Sequence, residues 1–330
     1  MAMKAFVSGS YGPPDVLTLS EIPVPVPRDD EVLVRVRASS VNPYDWHNMR
    51  GEPYLARLMP GGLALRTPQV TILGADISGQ VESVGRNVTE FRPGDEVFAV
   101  ISGGGFAEYV CVREFDLAPK PERLSYEEAA AVPMAANTAL LALRDEGHIL
   151  PGQRVLINGA SGGVGTFAVQ LARALGTEVT GVCSARNVDL VHSLGATKVI
   201  DYTTQDFTRE TRRYDLLLDI AGSRPVSVSR RTLRPDGAYV VVGGPPGRWI
   251  QPMGHVLSAL AVSRFVGQRI SVADALKCPS PKQNLQTLSA FLNDKRVIPI
   301  IDRHYPFEEI PRAIGYLEEG HAAGKVVISF

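Results

Sequence analysis

A glycine-rich stretch near the middle of the chain carries the clearest chemical signal. Residues 154–158 read as a buried strand and residues 164–175 as a helix, and glycines fill the junction between them. Glycine permits positive φ and close approach of a pyrophosphate, and the first N–H groups of the helix favour an anion. The alternative, a tight turn without ligand, is disfavoured by the surrounding strand–helix alternation. The predicted dinucleotide contacts are Ala160, Ser161, Gly162, Gly163, Val164 and Gly165.

The end of the next strand indicates which dinucleotide is bound. Sites for NAD place an acidic residue about 20 residues after the glycines, where it holds the ribose 2′-hydroxyl. Here Ser184 and Arg186 follow the strand, and the first carboxylate, Asp189, already lies in the next helix. A hydroxyl and a fixed positive charge suit a 2′-phosphate. We therefore predict NADP(H), with a solvated loop arginine as the alternative interpretation of Arg186.

These residues need a sheet to position them. Strand and helix patterns alternate through residues 126–292, which predicts a parallel sheet with right-handed crossovers. Residues 1–125 show short strand patterns between proline- and glycine-rich turns, and predict a β-rich domain. Residues 293–330 form a helix and an apolar strand, too little for a domain of their own, and are expected to complete one of the others. The strands expected in the β-rich part include residues 32–36, 70–74, 80–84 and 96–100.

Composition excludes several classes of protein. The 34 basic and 35 acidic residues give a formal net charge of −1, which argues against nucleic-acid binding by phosphate neutralisation. Cys111, Cys183 and Cys278 lie far apart and form no CxxC motif, so neither a disulfide framework nor a cysteine-rich zinc site is expected. No apolar run is long enough for a signal peptide or a membrane span. We expect a cytoplasmic protein without membrane insertion.

Short motifs along the chain resemble a known superfamily. The longest covers residues 74–85 and begins Gly74-Ala75-Asp76; residues 93–97, 105–110 and 320–327 carry others, in the same order. Together with the glycine-rich loop they resemble the medium-chain dehydrogenase/reductase superfamily, in its zinc-free quinone oxidoreductase branch. The resemblance covers essentially the whole chain.

The resemblance implies an α/β fold with two domains. A GroES-like β-rich catalytic domain is expected at residues 1–125 and 293–330. A doubly wound parallel-sheet Rossmann domain that binds NADP(H) is expected at residues 126–292. The family places the nicotinamide in the cleft between two such domains, and usually forms homodimers through the edge of the Rossmann sheet. We expect residues 265–272 to form that edge.

The chain departs from the zinc alcohol dehydrogenases of the same superfamily. Those relatives carry a cysteine ligand early in the first domain and Gly-His-Glu at a second ligand position. This chain has no cysteine before Cys111, and Gly74-Ala75-Asp76 stands at the second position. A thiolate-bound catalytic zinc cannot be assembled from these residues, so we predict no metal. Simple alcohol oxidation is then disfavoured, because no Lewis acid stabilises an alkoxide.

The resemblance also points to catalytic residues in the segment after residue 41. Asn42 and Asp45 match the branch's pattern; the Asn42 amide is expected to orient substrate or carboxamide. For Asp45 a structural hydrogen-bonding role is favoured over acid catalysis. Tyr44 and His47 are the expected proton or hydrogen-bond donors, with a structural histidine as the alternative for His47. The pocket is expected to be shaped by residues 53–68.

Further cofactor contacts follow from the resemblance alone. Thr138 matches a nicotinamide-contacting threonine, and Tyr202 resembles an adenosine-phosphate contact. His321 and Ala322 are expected to close over the cofactor, whereas Lys325 is expected to be a packing residue. The strand end expected at the nicotinamide edge is Val242, Gly243 and Gly244.

These features predict zinc-independent, NADPH-dependent reduction of quinones or α,β-unsaturated carbonyls by hydride transfer. Hydrogen-bond donors would stabilise the charge that develops on the carbonyl oxygen. A short-chain dehydrogenase is excluded, because no tyrosine has a lysine four residues on. The remaining alternative is an NADPH-binding redox-sensing or structural protein with little turnover.

Overall fold

The computed structural model describes residues 1–59 and 62–330. Within them the strands are β1 (Ala2–Val7), β2 (Thr18–Pro23), β3 (Glu31–Val41), β4 (Asp76–Val84), β5 (Glu96–Val100), β6 (Tyr109–Arg113), β7 (Ala118–Pro119), β8 (Arg154–Asn158), β9 (Glu178–Cys183), β10 (Lys198–Asp201), β11 (Tyr214–Asp219), β12 (Leu233–Val241), β13 (Arg269–Val272), β14 (Ile301–Pro306) and β15 (Lys325–Ser329). The helices are α1 (Pro43–Arg50), α2 (Tyr126–Ala130), α3 (Pro133–Leu140), α4 (Gly163–Ala174), α5 (Val188–Ser193), α6 (Val226–Ser229), α7 (Met253–Ser263), α8 (Pro281–Asn293) and α9 (Ile310–Glu318).

The chain divides into two compact units. The first contains residues 1–137, 276–294 and 299–330, and the second contains residues 138–275 and 295–298. Helix α2 packs on β3 and β4, and α8 on β5 and β7, so both helices belong to the first unit. The domain division at 125/126 and 292/293, made from the sequence, stays a prediction.

The first unit is built on a mostly antiparallel sheet. Its strand order is β14-β15-β3-β4-β5-β7, and β6 also pairs with β3. Near its end, β3 pairs with both β4 and β15: Ser40 lies opposite Asp76 on one side and Val327 on the other. The last residue of β3 and the first residues of β4 and β15 therefore meet at one end of the sheet. Helix α1 starts there.

One strand expected from the sequence is wrong. Residues 70–74 are apolar but form no strand, since their backbone bonds run to a neighbouring loop instead of a ladder. Phe106 N–H donates to the Leu73 carbonyl at 2.9 Å, and Gly104 N–H to the Ile72 carbonyl at 2.8 Å. The segment ends at Gly74, whose φ of +92° disfavours any other residue. Leu73 is buried, and Val70 and Ile72 are half-buried against the same apolar cluster.

The second unit contains a six-stranded parallel sheet, which confirms the prediction for this part of the chain. Its order is β10-β9-β8-β11-β12-β13, which is the doubly wound 3-2-1-4-5-6 arrangement when counted from β8. The order reverses between β8 and β11, where sheets of this type bind ligands at the carboxyl ends of the strands. The glycine-rich loop follows β8 at that point.

Both units bury apolar cores of their own. In the first, Met49 of α1 belongs to a cluster with α9 and β15. In the second, Leu156 of β8 packs in a cluster that includes Tyr239 of β12 and Ala259 of α7. No helix in residues 1–59 or 62–330 combines the length and the apolar character needed to cross a membrane.

Candidate functional site

Helix α1 begins where β3, β4 and β15 meet. Asn42 precedes the helix and Pro43 is its first residue, a position that tolerates proline because no N–H is needed there. Asp45 Oδ2 accepts a 2.8 Å bond from Asn42 N–H. The helix ends at Gly51, where φ is +64°. Local sequence thus fixes both ends of the segment that carries the predicted catalytic residues.

A closed ring of polar groups lies beneath the start of α1. Lys325 Nζ lies 2.5 Å from Asn42 Oδ1 and 3.1 Å from Asp76 Oδ2, and Asn42 Nδ2 donates to that same carboxylate oxygen at 2.9 Å. Asn42, Asp76 and Lys325 are 3%, 0% and 3% exposed. Burying charged and polar groups costs free energy unless they are paired. Here the three buried side chains are paired with one another. In this arrangement the oxygen and the nitrogen of the Asn42 amide are both engaged by protein groups.

Two further donors complete the coordination of Asp76. Ser40 Oγ donates to Asp76 Oδ2 at 2.6 Å, and Met134 N–H donates to Asp76 Oδ1 at 2.7 Å. The carboxylate therefore accepts three hydrogen bonds, from Asn42, Ser40 and Met134, in addition to the ammonium contact. Lys325, expected from the sequence to be a packing residue, is instead the cation of this ring.

The predicted site residue Asp45 is fully buried. Its Oδ1 accepts a bond from Gly74 N–H at 2.9 Å, in addition to the bond from Asn42. Burial raises the pKa of Asp45 to about 7, with a smaller contribution from the negative charge of Asp76; the two backbone bonds and Lys325 act in the opposite direction. Through its bonds to Asn42 and Gly74, the buried Asp45 carboxyl group holds the start of α1 against the segment that ends at Gly74.

Tyr44 and His47 lie on the more open side of α1. Tyr44 donates its hydroxyl proton to the Ser102 carbonyl at 3.1 Å. His47 Nδ1 lies 2.8 Å from the Glu52 carbonyl, and the ring stacks on Trp46 with centroids 3.6 Å apart. Burial lowers the pKa of His47. The residues that the sequence grouped as catalytic thus separate into a buried pair, Asn42 and Asp45, and a partly exposed pair.

The residues at this position do not fit a catalytic zinc. The two segments that the resemblance aligns with zinc-ligand segments do come together, at Ser40, Asn42 and Asp76. They bring a hydroxyl, an amide and one carboxylate, but neither thiolate nor imidazole. The Lys325 ammonium already supplies a positive charge within 3.1 Å of Asp76. Across residues 1–59 and 62–330, no three His, Cys, Asp or Glu side chains are grouped closely enough to hold a metal ion.

The glycine-rich loop of the second unit has the form that a pyrophosphate requires. Gly159 has φ of +94°, and a Cβ on Gly165 would lie 2.0 Å from the Gly159 carbonyl oxygen. By contrast, a Cβ on Gly162 would meet nothing closer than 3.8 Å. The loop therefore leaves space beside Gly162, at the first turn of α4, where helical N–H groups lack partners within the helix. Ala160 is buried, and Ser161, Gly163 and Val164 are half-buried.

The end of β9 places hydroxyl and basic groups together. Ser184 is half-buried and Arg186 is exposed, in a short 3-10 turn that leads into α5. The carboxylate nearest in the sheet is Asp201, at the end of β10, and it accepts bonds from the amide and hydroxyl of Thr203. Hydrogen bonding to Thr203 lowers the pKa of Asp201. The Asp201 carboxylate is thus engaged by a residue of the turn that follows it.

The remaining predicted cofactor contacts lie in both units. Thr138 is buried in α3, whereas Tyr202 is exposed after β10. The strand end after β12 is half-buried at Val242, Gly243 and Gly244. In the first unit, His321 is exposed, and Ala322 packs against the core next to α9.

Several residues that position these groups were missed in the sequence. Asn187 is 8% exposed and bridges the loop to the strand end, with Nδ2 3.0 Å from Ser161 Oγ and 3.4 Å from Ser184 Oγ. Asp219 is 1% exposed and accepts bonds from Asn158, Gly222 and Tyr239, with His255 Nε2 at 3.0 Å. Asp219 is a polar residue at the end of an apolar strand, which is a weak signal, and most partners of Asp219 and Asn187 are 20 or more residues away in sequence.

Comparisons with known proteins agree with this architecture. Residues 28–122 match the family model described as alcohol dehydrogenase GroES-like domain, and residues 194–328 match the one described as zinc-binding dehydrogenase. The α/β fold class, with a GroES-like part and a Rossmann-type part, is thereby confirmed. The zinc in the second description is a property of the family model; the absence of metal from this chain stays a prediction.

Individual relatives are similar over nearly the whole length. The chain is 32% identical to the chloroplast envelope quinone oxidoreductase homolog of Arabidopsis thaliana, over 99% of this chain and 98% of that protein. It is 33% identical to a chloroplastic NADPH-dependent alkenal/one oxidoreductase of the same plant, over 99% and 79%. The solved quinone oxidoreductase of Coxiella burnetii superimposes with a TM-score of 0.85 at 30% identity, covering all of both chains. The chain belongs to the medium-chain dehydrogenase/reductase superfamily, within the branch of the quinone oxidoreductases.

Proposed function

We propose that this protein is an NADPH-dependent, zinc-independent reductase of quinones or α,β-unsaturated carbonyl compounds. Three of the relatives named above support this class of reaction: two are named as quinone oxidoreductases, and one as an NADPH-dependent alkenal/one oxidoreductase. The observation that carries the proposal is the polar ring at the start of α1. In this ring the Lys325 ammonium lies where the segment that contains Asn42 meets the segment that contains Asp76. The resemblance aligns these two segments with zinc-ligand segments, but their side chains do not form a zinc ligand set.

The residues of this chain have separate tasks in that reaction. The loop from Ala160 to Gly165 binds the pyrophosphate, and Ser184 and Arg186 bind the 2′-phosphate. A dinucleotide held by these residues would supply a hydride from C4 of its nicotinamide ring. The quinone or enone accepts this hydride and then a proton, giving a hydroquinone or a saturated carbonyl compound.

The proton that completes reduction of the acceptor comes from water. Tyr44 and His47 each direct a hydrogen toward a backbone carbonyl, of Ser102 and Glu52. They therefore act by shaping the site beside α1. Asn42 and Asp45 hold that helix in place, while Thr138, Tyr202, residues 242–244, His321 and Ala322 contact the cofactor.

The reaction is tested by NADPH oxidation at 340 nm with 1,2-naphthoquinone, 9,10-phenanthrenequinone and a medium-chain enal. We expect turnover with at least one acceptor, and none when a primary alcohol is offered with NADP⁺. Gly162→Ala is the matched variant: its Cβ has room in the protein, so the fold is retained, but it occupies space beside the pyrophosphate. Tight NADPH binding without turnover of any acceptor would instead favour a redox-sensing or structural protein.

The same proposal includes a homodimer formed through the second unit. Strand β13 is the last strand of its sheet, so one edge is open to pairing. Exposed apolar side chains lie on α7, which packs on β13, and on the segment between them: Phe265 is 87% exposed, and Leu257 and Leu260 on α7 are 49% and 45% exposed. A second copy of the chain would cover them.

We further propose a cytoplasmic location, with no nucleic-acid partner. Cys111, Cys183 and Cys278, all within the described residues, are free thiols, as a reducing compartment requires. Burial raises the pKa of Cys111 and of Cys183 to about 11, so neither is a reactive thiolate. Fractionation of cells with an antibody against the protein tests the location.

The segment 53–68, expected to shape the pocket, includes residues 60 and 61, which lie outside the described residues.

A further inference from the structure

Helix α1 is tied at both ends to the last segment of the chain. At its start, Lys325 Nζ lies 2.5 Å from Asn42 Oδ1. At its end, Arg50 donates two hydrogen bonds to Glu318, from Nε to Oε1 at 2.7 Å and from Nη2 to Oε2 at 2.9 Å. Glu318 is the last residue of α9 and Lys325 the first of β15, so the two ties flank residues 319–324.

Both ties have geometry that restricts motion. The Lys325 contact is buried, and the Arg50–Glu318 pair is two-pronged, with side chains 29% and 17% exposed. Paired forks of this kind fix orientation as well as distance. The apolar faces also meet, since Met49 of α1, Leu317 of α9 and Ala322 belong to or pack on one cluster. Helix α1 and residues 319–324 therefore have few ways to move independently.

We propose that Glu318 and Lys325 are positioning residues that couple α1 to residues 319–324. This inference rests on the proposed function, which places the acceptor beside α1 and the cofactor beside His321 and Ala322. Order imposed on one segment is transmitted to the other through the two ties. Binding of NADPH at residues 319–324 thereby also orders the helix that lines the acceptor site.

The end of α1 persists without the Glu318 tie. Arg57 Nε donates to the Gly51 carbonyl at 2.6 Å, and Arg57 Nη2 donates to the Arg50 carbonyl at 3.0 Å. Removing the Glu318 charge therefore loosens the helix without removing its backbone support. Glu318→Gln is the appropriate variant, because Lys325→Met would leave Asp76 as a buried charge without a cation.

A matched control lies on the same stretch of chain. Glu309, just before α9, pairs with Arg312 at 2.8 Å, so Glu309→Gln removes an Arg–carboxylate contact that does not involve α1. Hydrogen exchange of the cofactor-free protein is the direct measurement. We expect Glu318→Gln to speed amide exchange about three- to fivefold in both residues 43–51 and residues 319–324. Glu309→Gln should change neither segment.

Exchange that rises in only one of the two segments, or equally in the Glu309→Gln control, would overturn the coupling. In kinetics, Glu318→Gln should raise KM for NADPH and for the acceptor together, about threefold each, with Tm close to that of the unchanged protein. A lower Tm with unchanged KM values would mean a merely structural role, against the proposal. If the unchanged protein reduces no acceptor, the proposed function fails, and the exchange experiment still decides whether the coupling exists.

Discussion

The Nδ1 atom of His47 lies 2.8 Å from the carbonyl oxygen of Glu52. A carbonyl oxygen can only accept, so Nδ1 carries the hydrogen in this contact. Burial lowers the pKa of His47 and keeps the ring neutral at neutral pH. The remaining nitrogen, Nε2, then has a lone pair and no proton to give. The residue expected from the sequence to donate a proton is held in the form that accepts one.

We therefore predict that His47 is dispensable as an acid. His47→Gln retains a donor for the Glu52 carbonyl, and should change kcat for a quinone by less than about twofold, with a flat profile between pH 6 and 8. A general acid would contribute about 100-fold or more. Stopped-flow measurement of NADPH oxidation across this range distinguishes the two. A large loss of kcat, together with a lost limb in the pH profile, would restore His47 as the donor.

Arg186 is predicted to discriminate between the two dinucleotides. Arg186→Ala removes a fixed positive charge at the end of β9, so the Kd for NADPH should rise about tenfold or more, while the Kd for NADH changes little. Fluorescence titration of both nucleotides measures this directly. Arg213→Ala, an exposed arginine in the same unit, is the control. Equal losses for NADPH and NADH in Arg186→Ala would contradict the assignment of the 2′-phosphate site.

Local patterns explain why much of this fold was predictable. The glycine-rich loop between β8 and α4 depends on residues adjacent in sequence, and the alternation of strands and helices is likewise local. The expected strand at 70–74 failed because an apolar run does not reveal its hydrogen-bond partners. Here those backbone partners are Ser8 and the loop residues 104–106. The fold class could therefore be predicted from the sequence, whereas the irregular structure of residues 70–74 could not.

The polar ring under α1 shows the limit for the site. Asn42 and Lys325 are 283 residues apart, and only the pairing of β15 with β3 brings them together. A sequence pattern identifies Asn42 as polar but gives no sign that its amide is bound by an ammonium group. The same holds for Asn187, whose contact with Ser161 spans 26 residues. The hydrogen-bond partners of Asn42 and Asn187 come near only in the folded chain, so the roles of these residues could not be predicted from the sequence.

The burial of Asp45 predicts a specific pH dependence of stability. Its pKa in the folded protein is about 7, above the usual carboxyl value of about 4 in an unfolded chain. Between these values the folded state retains the proton and the unfolded state loses it. The free energy of unfolding should therefore decrease as pH rises from 4 to 7, by about 1.4 kcal/mol per pH unit from this group, and level off above.

Asp45→Asn removes this titration and should flatten that part of the curve. Urea unfolding at several pH values, compared with the unchanged protein, isolates the contribution of Asp45 from that of other groups. Asp15→Asn, at an exposed aspartate of the same unit, is the control and should leave the slope as it was. Identical slopes for Asp45→Asn and the unchanged protein would mean that Asp45 is ionised throughout.

Phe265 is predicted to lie in the interface of a homodimer. In a two-fold interface each substitution acts twice, and an apolar side chain contributes about 1.5–3 kcal/mol on burial. Phe265→Lys should therefore raise the dimer Kd at least about 100-fold, which sedimentation velocity at micromolar concentrations detects. Phe115→Lys, at a phenylalanine 55% exposed in the first unit, should leave the dimer intact. A monomer in the unchanged protein, or dissociation caused by Phe115→Lys instead, would place the interface elsewhere or remove it.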